Sequence, residues 1–112
     1  MSVRLGSVVL GSVDPERLAG WYRAVVGLGD GGELAGGGRL IFDRRADVGP
    51  AAGEPGRVLI NLYVDDLAAV AARLTGLGVD WVRPVEAFPP GLISTVRDPD
   101  GNLVQFVELA VR

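Results

Sequence analysis

One turn near the carboxyl end of the chain constrains the fold more than any other stretch. Two runs rich in β-branched and aromatic residues, 92–97 and 103–109, flank residues 98–102, which read Asp-Pro-Asp-Gly-Asn. The proline fixes φ at the first corner of a type I turn, and the glycine accepts a positive φ. Asp98 can accept hydrogen bonds from the backbone that follows it. The sequence therefore predicts a tight antiparallel hairpin across this turn.

An internal repeat organises the rest of the chain. Val13-Asp14 and Val26-Gly27-Leu28 recur as Val64-Asp65 and Leu77-Gly78-Val79, both at an offset of 51 residues. In each copy a strand is followed by a helix that aspartate opens and glycine ends. Such self-similarity indicates two related supersecondary units.

The apolar periodicity predicts the elements of both units. Helices begin after Asp14 and Asp66, and Pro84 forces its strand to an edge or a bulge. Between Gly27 and Gly38 only residues 33–35 suit a strand, so we expect the first unit to have truncated or lost one. The remaining predicted strands are residues 3–10, 39–44, 57–64 and 81–86, followed by the two arms of the hairpin. The order is β-α-β-β-β twice, an α+β plan with the helices on one side of the sheet.

The domain organisation follows from one break in the pattern. Residues 45–56 have no apolar period and are rich in glycine and proline, which is typical of a linker or a mobile loop. We therefore expect a single domain over residues 1–112, with module one at about 1–48 and module two at about 57–112.

Composition excludes several classes of chemistry. The chain has no cysteine and no histidine, and all of its basic residues are arginine. Nucleophile–histidine systems, imidazole or thiolate metal sites and lysine Schiff bases are therefore excluded. A net charge of −3 argues against nucleic acid and anionic membranes as partners. Neither a spanning segment nor a secretory leader is evident, so we expect a cytoplasmic protein.

The hairpin and both repeat units together resemble the vicinal oxygen chelate superfamily, which includes glyoxalase I, extradiol dioxygenases, fosfomycin-resistance enzymes and bleomycin-resistance proteins. The resemblance is carried by Asp-Pro-Asp-Gly-Asn at 98–102, by Ser7–Gly11 with Trp21-Tyr22, and by Leu59–Asp66 with Leu77-Gly78-Val79. It implies two βαβββ modules that form cupped mixed sheets, with the helices on the outer face and the first module shortened. It also implies a homodimer.

The positions that bind metal in relatives carry other chemistry here. In metal-dependent members the residues that correspond to Ser7, Leu59 and Gln105 are typically histidine or glutamine, histidine, and glutamate. This chain offers a hydroxyl, an alkyl group and a neutral amide. A divalent cation would lose its hydration shell there without gaining an anionic ligand. We therefore expect no metal and no other cofactor.

Strand alternation predicts a different use for the same cup. Its inward side chains would form hydrogen bonds and apolar contacts with an organic molecule, with Trp81 stacking at the mouth. Alternatively, Ser7 and Gln105 are polar positions on a wet face, and Arg97 is a solvated arginine at a strand end. No acid stands out as a general base, so catalytic residues stay unknown. The predicted ligand-binding residues are Ser7, Leu59, Asn61, Tyr63, Trp81, Thr95, Arg97 and Gln105.

Three functions are compatible with these residues. The leading hypothesis is metal-free binding of a small organic molecule, as bleomycin-resistance proteins do by sequestration. The second is a glyoxalase-like lyase or isomerase, or a dioxygenase, that uses a displaced or oxygen-only divalent metal site. The third is a structural or regulatory dimer with a vestigial pocket. The sequence does not identify the ligand.

Overall fold

The computed structural model describes residues 1–109, which form two compact units, one ending at Pro50 and the other beginning at Ala51. None of the described helices is long and apolar enough to cross a bilayer. A short 3-10 helix covers Pro55–Arg57. The regular elements are β1 Ser7–Ser12, α1 Pro15–Val26, β2 Arg39–Arg44, β3 Leu59–Tyr63, α2 Leu67–Gly76, β4 Asp80–Phe88, β5 Gly91–Arg97 and β6 Leu103–Glu108.

The first unit packs α1 on a two-stranded parallel sheet of β1 and β2. The Asp14 carboxylate accepts a hydrogen bond from the Arg17 amide at 3.2 Å, and Gly27 ends the helix at φ 66°. Both ends of the helix therefore lie where the sequence predicts them. The Tyr22 ring, which is fully buried, lies 5.5 Å from the ring of Phe42 on β2. Alternation then places the even-numbered residues of β2 against α1.

The first unit departs from the predicted plan in two places. Residues 33–35 do not form a strand, because Glu33 makes only an isolated bridge with Arg39. Both middle strands of the repeat are therefore missing, not one. The connection is glycine-rich and adopts positive φ at Gly32 and at residues 36–38, conformations that do not continue a strand. At the amino end, β1 begins at Ser7, and exposed residues 3–6 do not belong to it.

The second unit has the complete set of strands in the order β3-β6-β5-β4, with β3 parallel to β6 and the other neighbours antiparallel. The predicted hairpin is confirmed as β5 and β6. The Asp98 carboxylate accepts hydrogen bonds from the amides of Asp100 at 2.9 Å and Asn102 at 3.0 Å. Gly101 has φ 82°, as the turn requires. Together the units form an α+β fold of mixed sheets.

One hydrogen bond identifies which face of the second sheet carries α2. The Glu108 carboxylate on β6 accepts a hydrogen bond from the Leu67 amide, at the first residue of α2, at 2.7 Å. Alternation therefore directs Val104 and Phe106 toward α2 as well, and both are fully buried. The odd-numbered residues of β6 lie on the opposite side, which we call the helix-free face. It comprises Leu103, Gln105 and Val107 with their cross-strand neighbours.

The edge strand β4 confirms the prediction for Pro84. Trp81, Arg83 and Glu86 pair with Val96, Thr95 and Ile93, so the register shifts on both sides of Arg83. Each shift adds one residue to β4 relative to β5, which is the signature of a β-bulge. Proline is tolerated here because β4 is the last strand of its sheet.

Candidate functional site

A row of polar side chains crosses all four strands of the second unit. The row lies in the middle of the helix-free face. Asn61 on β3 pairs with Gln105 on β6, Gln105 pairs with Thr95 on β5, and Thr95 pairs with Arg83 on β4. Neighbouring strands of a sheet lie about 4.7–4.9 Å apart, so these four side chains follow one another at short distances across the sheet.

Burial changes along this polar row. Thr95 is only 4% exposed, Gln105 is half-buried, and Asn61 and Arg83 are exposed. Among residues 1–109 the side-chain amides of Asn61 and Gln105 form no hydrogen bond. Each amide offers two donor hydrogens and an acceptor oxygen. The row therefore presents unused hydrogen-bonding groups that lead from solvent toward a buried hydroxyl.

The rows on either side combine apolar contacts with ion pairs. On one side Leu59, Leu103 and Arg97 follow one another, and Arg97 Nη1 lies 3.6 Å from Asp80 Oδ2. On the other side the row is Tyr63, Val107, Ile93 and Glu86. Arg83 Nε lies 3.0 Å from Glu86 Oε1, which links that row to the polar row. Both ion pairs are largely solvated and contribute little to stability.

The structure brings six of the eight predicted site residues onto one face of the second unit, places Trp81 on the opposite face of the same sheet, and places Ser7 in the first unit. Trp81 pairs with Val96, and Val96 pairs with Val104, so the indole belongs to the side that carries α2. Ser7 belongs to the first unit, on the face of β1 opposite α1. The residues that share the helix-free face of the second unit are Leu59, Asn61, Tyr63, Thr95, Arg97 and Gln105. That they bind a ligand stays a prediction.

Sequence reasoning missed Arg83. In a regular strand Arg83 and Trp81 would face the same side, but the bulge between them rotates Arg83 onto the helix-free face. Pro84 was the available signal, because a proline in a strand indicates an irregularity. It does not say between which two residues the extra position falls.

The corresponding face of the first unit is partly filled by Arg45. A Cβ added at Gly11 would lie 2.6 Å from Arg45 Cδ, so a larger residue there would displace the side chain. The Arg45 guanidinium donates to the Asp47 carboxylate at 2.7 and 2.8 Å and to Asp43 at 3.3 Å. Hydrogen bonds to Asp47 and then Asp43 raise the pKa of Arg45, and the same arginine lowers the pKa of Asp47. A depressed carboxyl pKa contributes stability that is complete above the unfolded-state pKa and is lost as the pH falls.

The donor groups present do not fit the divalent metal of metal-dependent relatives. Leu59 has no donor atom, and Gln105 and Ser7 are neutral. Within residues 1–109 no three carboxylates lie close enough to hold an ion in their place. Divalent cations in proteins are usually held by carboxylates, which provide the compensating charge.

Comparison with known protein families decides the classification. The model of the glyoxalase-like domain family matches residues 7–107. The chain belongs to that family. No curated protein matches the sequence.

Solved structures share this fold at low sequence identity. A glyoxylase/bleomycin resistance protein/dioxygenase domain from Frankia sp. EAN1pec is 19% identical, with a TM-score of 0.78 over 96% of this chain and 98% of that one. TnmS3, an antibiotic-binding protein from Streptomyces sp. CB03234, is 22% identical, with a TM-score of 0.72 over 97% and 98%. The oxidase ChaP-H1 is 18% identical, with a TM-score of 0.78 over 96% of both chains. At these identities the likeness concerns the fold alone.

Proposed function

We propose that this glyoxalase-like protein binds a small organic molecule on the helix-free face of its second unit, without a metal. The single observation that carries this proposal is the row of Asn61, Gln105 and Thr95, in which the side-chain amides of Asn61 and Gln105 form no hydrogen bond within residues 1–109. Leu59 and Tyr63 supply apolar surface beside it, with 37% and 69% of their surface exposed. A few convergent polar groups among apolar ones are typical of a small-molecule site.

One fold neighbour supports this class of ligand. TnmS3 is an antibiotic-binding protein with the same fold. The proposal for this chain is sequestration of a small organic molecule, with recognition through neutral amides in place of metal coordination. We also propose that the protein is a homodimer and that it is cytoplasmic. Analytical ultracentrifugation would test the oligomeric state.

The alternative function is enzymatic. The oxidase ChaP-H1 has the same fold, and a displaced or oxygen-only metal site would give this chain a lyase, isomerase or dioxygenase activity. The two proposals differ in one measurable property, the dependence of ligand binding on divalent ions.

A thermal-shift screen tests the binding proposal. Purified protein treated with a chelator is screened against bleomycin and a panel of natural-product antibiotics and metabolites. A ligand that binds the native state raises the melting temperature by mass action. We expect at least one saturable, stoichiometric hit in the absence of metal, confirmed by calorimetry. Complete absence of hits would remove the proposal in favour of a vestigial pocket.

Substitutions then locate the site. We expect Gln105→Ala and Arg97→Ala each to weaken the ligand identified by the screen by about tenfold, because each removes a hydrogen bond to it. Arg17→Ala is the matched control, since Arg17 is an exposed arginine on α1 of the first unit. If both site variants bind as tightly as the control, the helix-free face is not the site.

A further inference from the structure

A cavity lies wholly within the first unit. It has a volume of about 450 Å³ and is bounded by α1, by the glycine-rich residues 28–32 and by β2. This is in the range of sites that hold small molecules or a few residues of peptide. No residue of the helix-free face of the second unit lines this cavity, so the cavity is not part of the proposed binding site.

The cavity reaches the backbone edge of β2. Leu40 and Phe42 face α1, and Ile41 lies between them and points to the other side, yet all three line the cavity. Gly32 also lines the cavity and lies beside the outer edge of β2, which indicates that the cavity extends along that edge. The Leu40 amide donates outward, to the Gly32 carbonyl at 2.9 Å. By the two-residue period the N–H and C=O of Phe42 point the same way, and within residues 1–109 they meet no backbone partner.

The second unit shows what normally covers such an edge. β6 is parallel to the first strand of its unit, as β2 is to β1, and its other edge is occupied by antiparallel β5. In the second unit residues 77–102 connect the helix to the last strand, whereas in the first unit residues 27–38 do so. The short connection bridges only the start of β2, through Glu33 and the Gly32 carbonyl, and within the described residues it leaves the edge at Phe42 without a neighbouring strand.

We propose that this edge accepts an uncharged peptide in extended conformation, which adds as an antiparallel strand beside β2. Phe42 supplies the backbone donor and acceptor, which is the recognition mode of strand addition. Leu28, Ala19 and the Phe42 ring form the apolar side, where alternate peptide side chains would pack.

The charge of the cavity favours a neutral peptide. Its charged side chains are Glu16, Arg23, Asp30 and Arg44, and their formal charges cancel. Glu16 and Arg44 already form an ion pair with each other. A strongly acidic or basic segment would therefore gain no net attraction.

NMR titration of the full-length protein tests the proposal. The probe is acetyl-Ile-Ser-Thr-Val-amide, which copies residues 93–96 of β5. We expect the amide resonances of Phe42 and Arg44 to shift saturably at peptide concentrations of about 1 mM, the affinity range of so short a contact. N-methylation of alternate peptide amides should abolish binding in one set and leave it unchanged in the other, because only every second amide faces β2. Shifts confined to other residues, or equal sensitivity of both sets, would overturn the proposal.

Two further measurements complete the test. Ala19→Leu narrows the cavity and should weaken the peptide about tenfold, while Ala24→Leu, the same change at an exposed position of α1, should not. Unchanged binding in a folded Ala19→Leu variant would contradict the site. If the Phe42 amide shifts with protein concentration in the absence of peptide, the occupant is a second copy of the chain and the peptide proposal is wrong.

Discussion

Two buried serines, Ser12 and Ser94, differ in whether the side-chain hydroxyl forms a hydrogen bond. Ser12 is 1% exposed, and its hydroxyl accepts a hydrogen bond from the Asp14 amide at 3.0 Å. Ser94 on β5 is fully buried, and its Oγ has no hydrogen-bond partner among residues 1–109. A buried hydroxyl without a partner loses its hydration and gains nothing in return. Replacing serine with alanine should therefore lower the free energy of unfolding at Ser12 but not at Ser94.

We expect Ser94→Ala to leave the free energy of unfolding unchanged or to raise it by up to about 1 kcal/mol, because it removes an unpaired polar group at little cost in packing. Ser12→Ala should lower the free energy of unfolding by about 1 kcal/mol, since it leaves the Asp14 amide without an acceptor. Urea denaturation followed by circular dichroism measures both values. An equal loss in the two variants would show that the Ser94 hydroxyl has a partner.

The turn between β5 and β6 depends on one carboxylate. Asp98 accepts hydrogen bonds from the Asp100 and Asn102 amides, whereas the Asp100 carboxylate accepts none among the described residues. Asp98→Ala should lower the free energy of unfolding by about 1–3 kcal/mol, because buried amides lose their acceptor. Asp100→Ala is the control in the same turn and should cost clearly less. Chemical denaturation of the two variants decides the point; a larger loss at Asp100 would contradict this account of the turn.

The first turn of α2 is stabilised by a residue of β6 as well as by its own N-cap residue. Asp66 caps the Ala69 amide at 3.1 Å, and Glu108 of β6 caps the Leu67 amide. Glu108→Ala should lower the free energy of unfolding by about 1 kcal/mol, because it exposes an unpaired helix donor and removes a negative charge near the helix amino end. Glu108→Gln keeps an acceptor and should retain part of the stability. Asp65→Ala, beside the cap, is the control, and a similar loss there would contradict the role of Glu108.

Elements encoded by neighbouring residues were predictable from the sequence. The helix that starts after Asp14, the hairpin at 98–102 and the irregular edge strand around Pro84 depend on signals within a few residues of each other. The bulges beside Arg83 were not predictable in position, because a bulge is defined by the register against another strand. Regular alternation therefore predicts Trp81 in the cup, whereas its pairing with Val96 places it on the side that carries α2.

At the scale of the whole chain, the sequence predicted the family and the repeat but underestimated the loss in the first unit. Alternation correctly grouped Asn61, Thr95 and Gln105, because both their strands and the hairpin register were predictable. The loss of both middle strands depended on the length available between Gly27 and Arg39. Strand propensity within those residues does not measure whether two strands and their turn can fit.

The effect of added metal on the melting temperature distinguishes a metal-free sequestering protein from a metal-dependent enzyme. We expect the melting temperature of chelator-treated protein to stay unchanged with Mg²⁺, Mn²⁺, Ni²⁺, Zn²⁺ or Fe²⁺, because Ser7, Leu59 and Gln105 supply no anionic ligand. A native-state site would instead add about 2.7 kcal/mol at a hundred times its dissociation constant, which is easily seen as a shift. Gln105→Ala is the diagnostic variant. If metal raises the melting temperature saturably and this substitution abolishes the rise, there is a metal site at Gln105. That result would favour the enzyme over the sequestering protein.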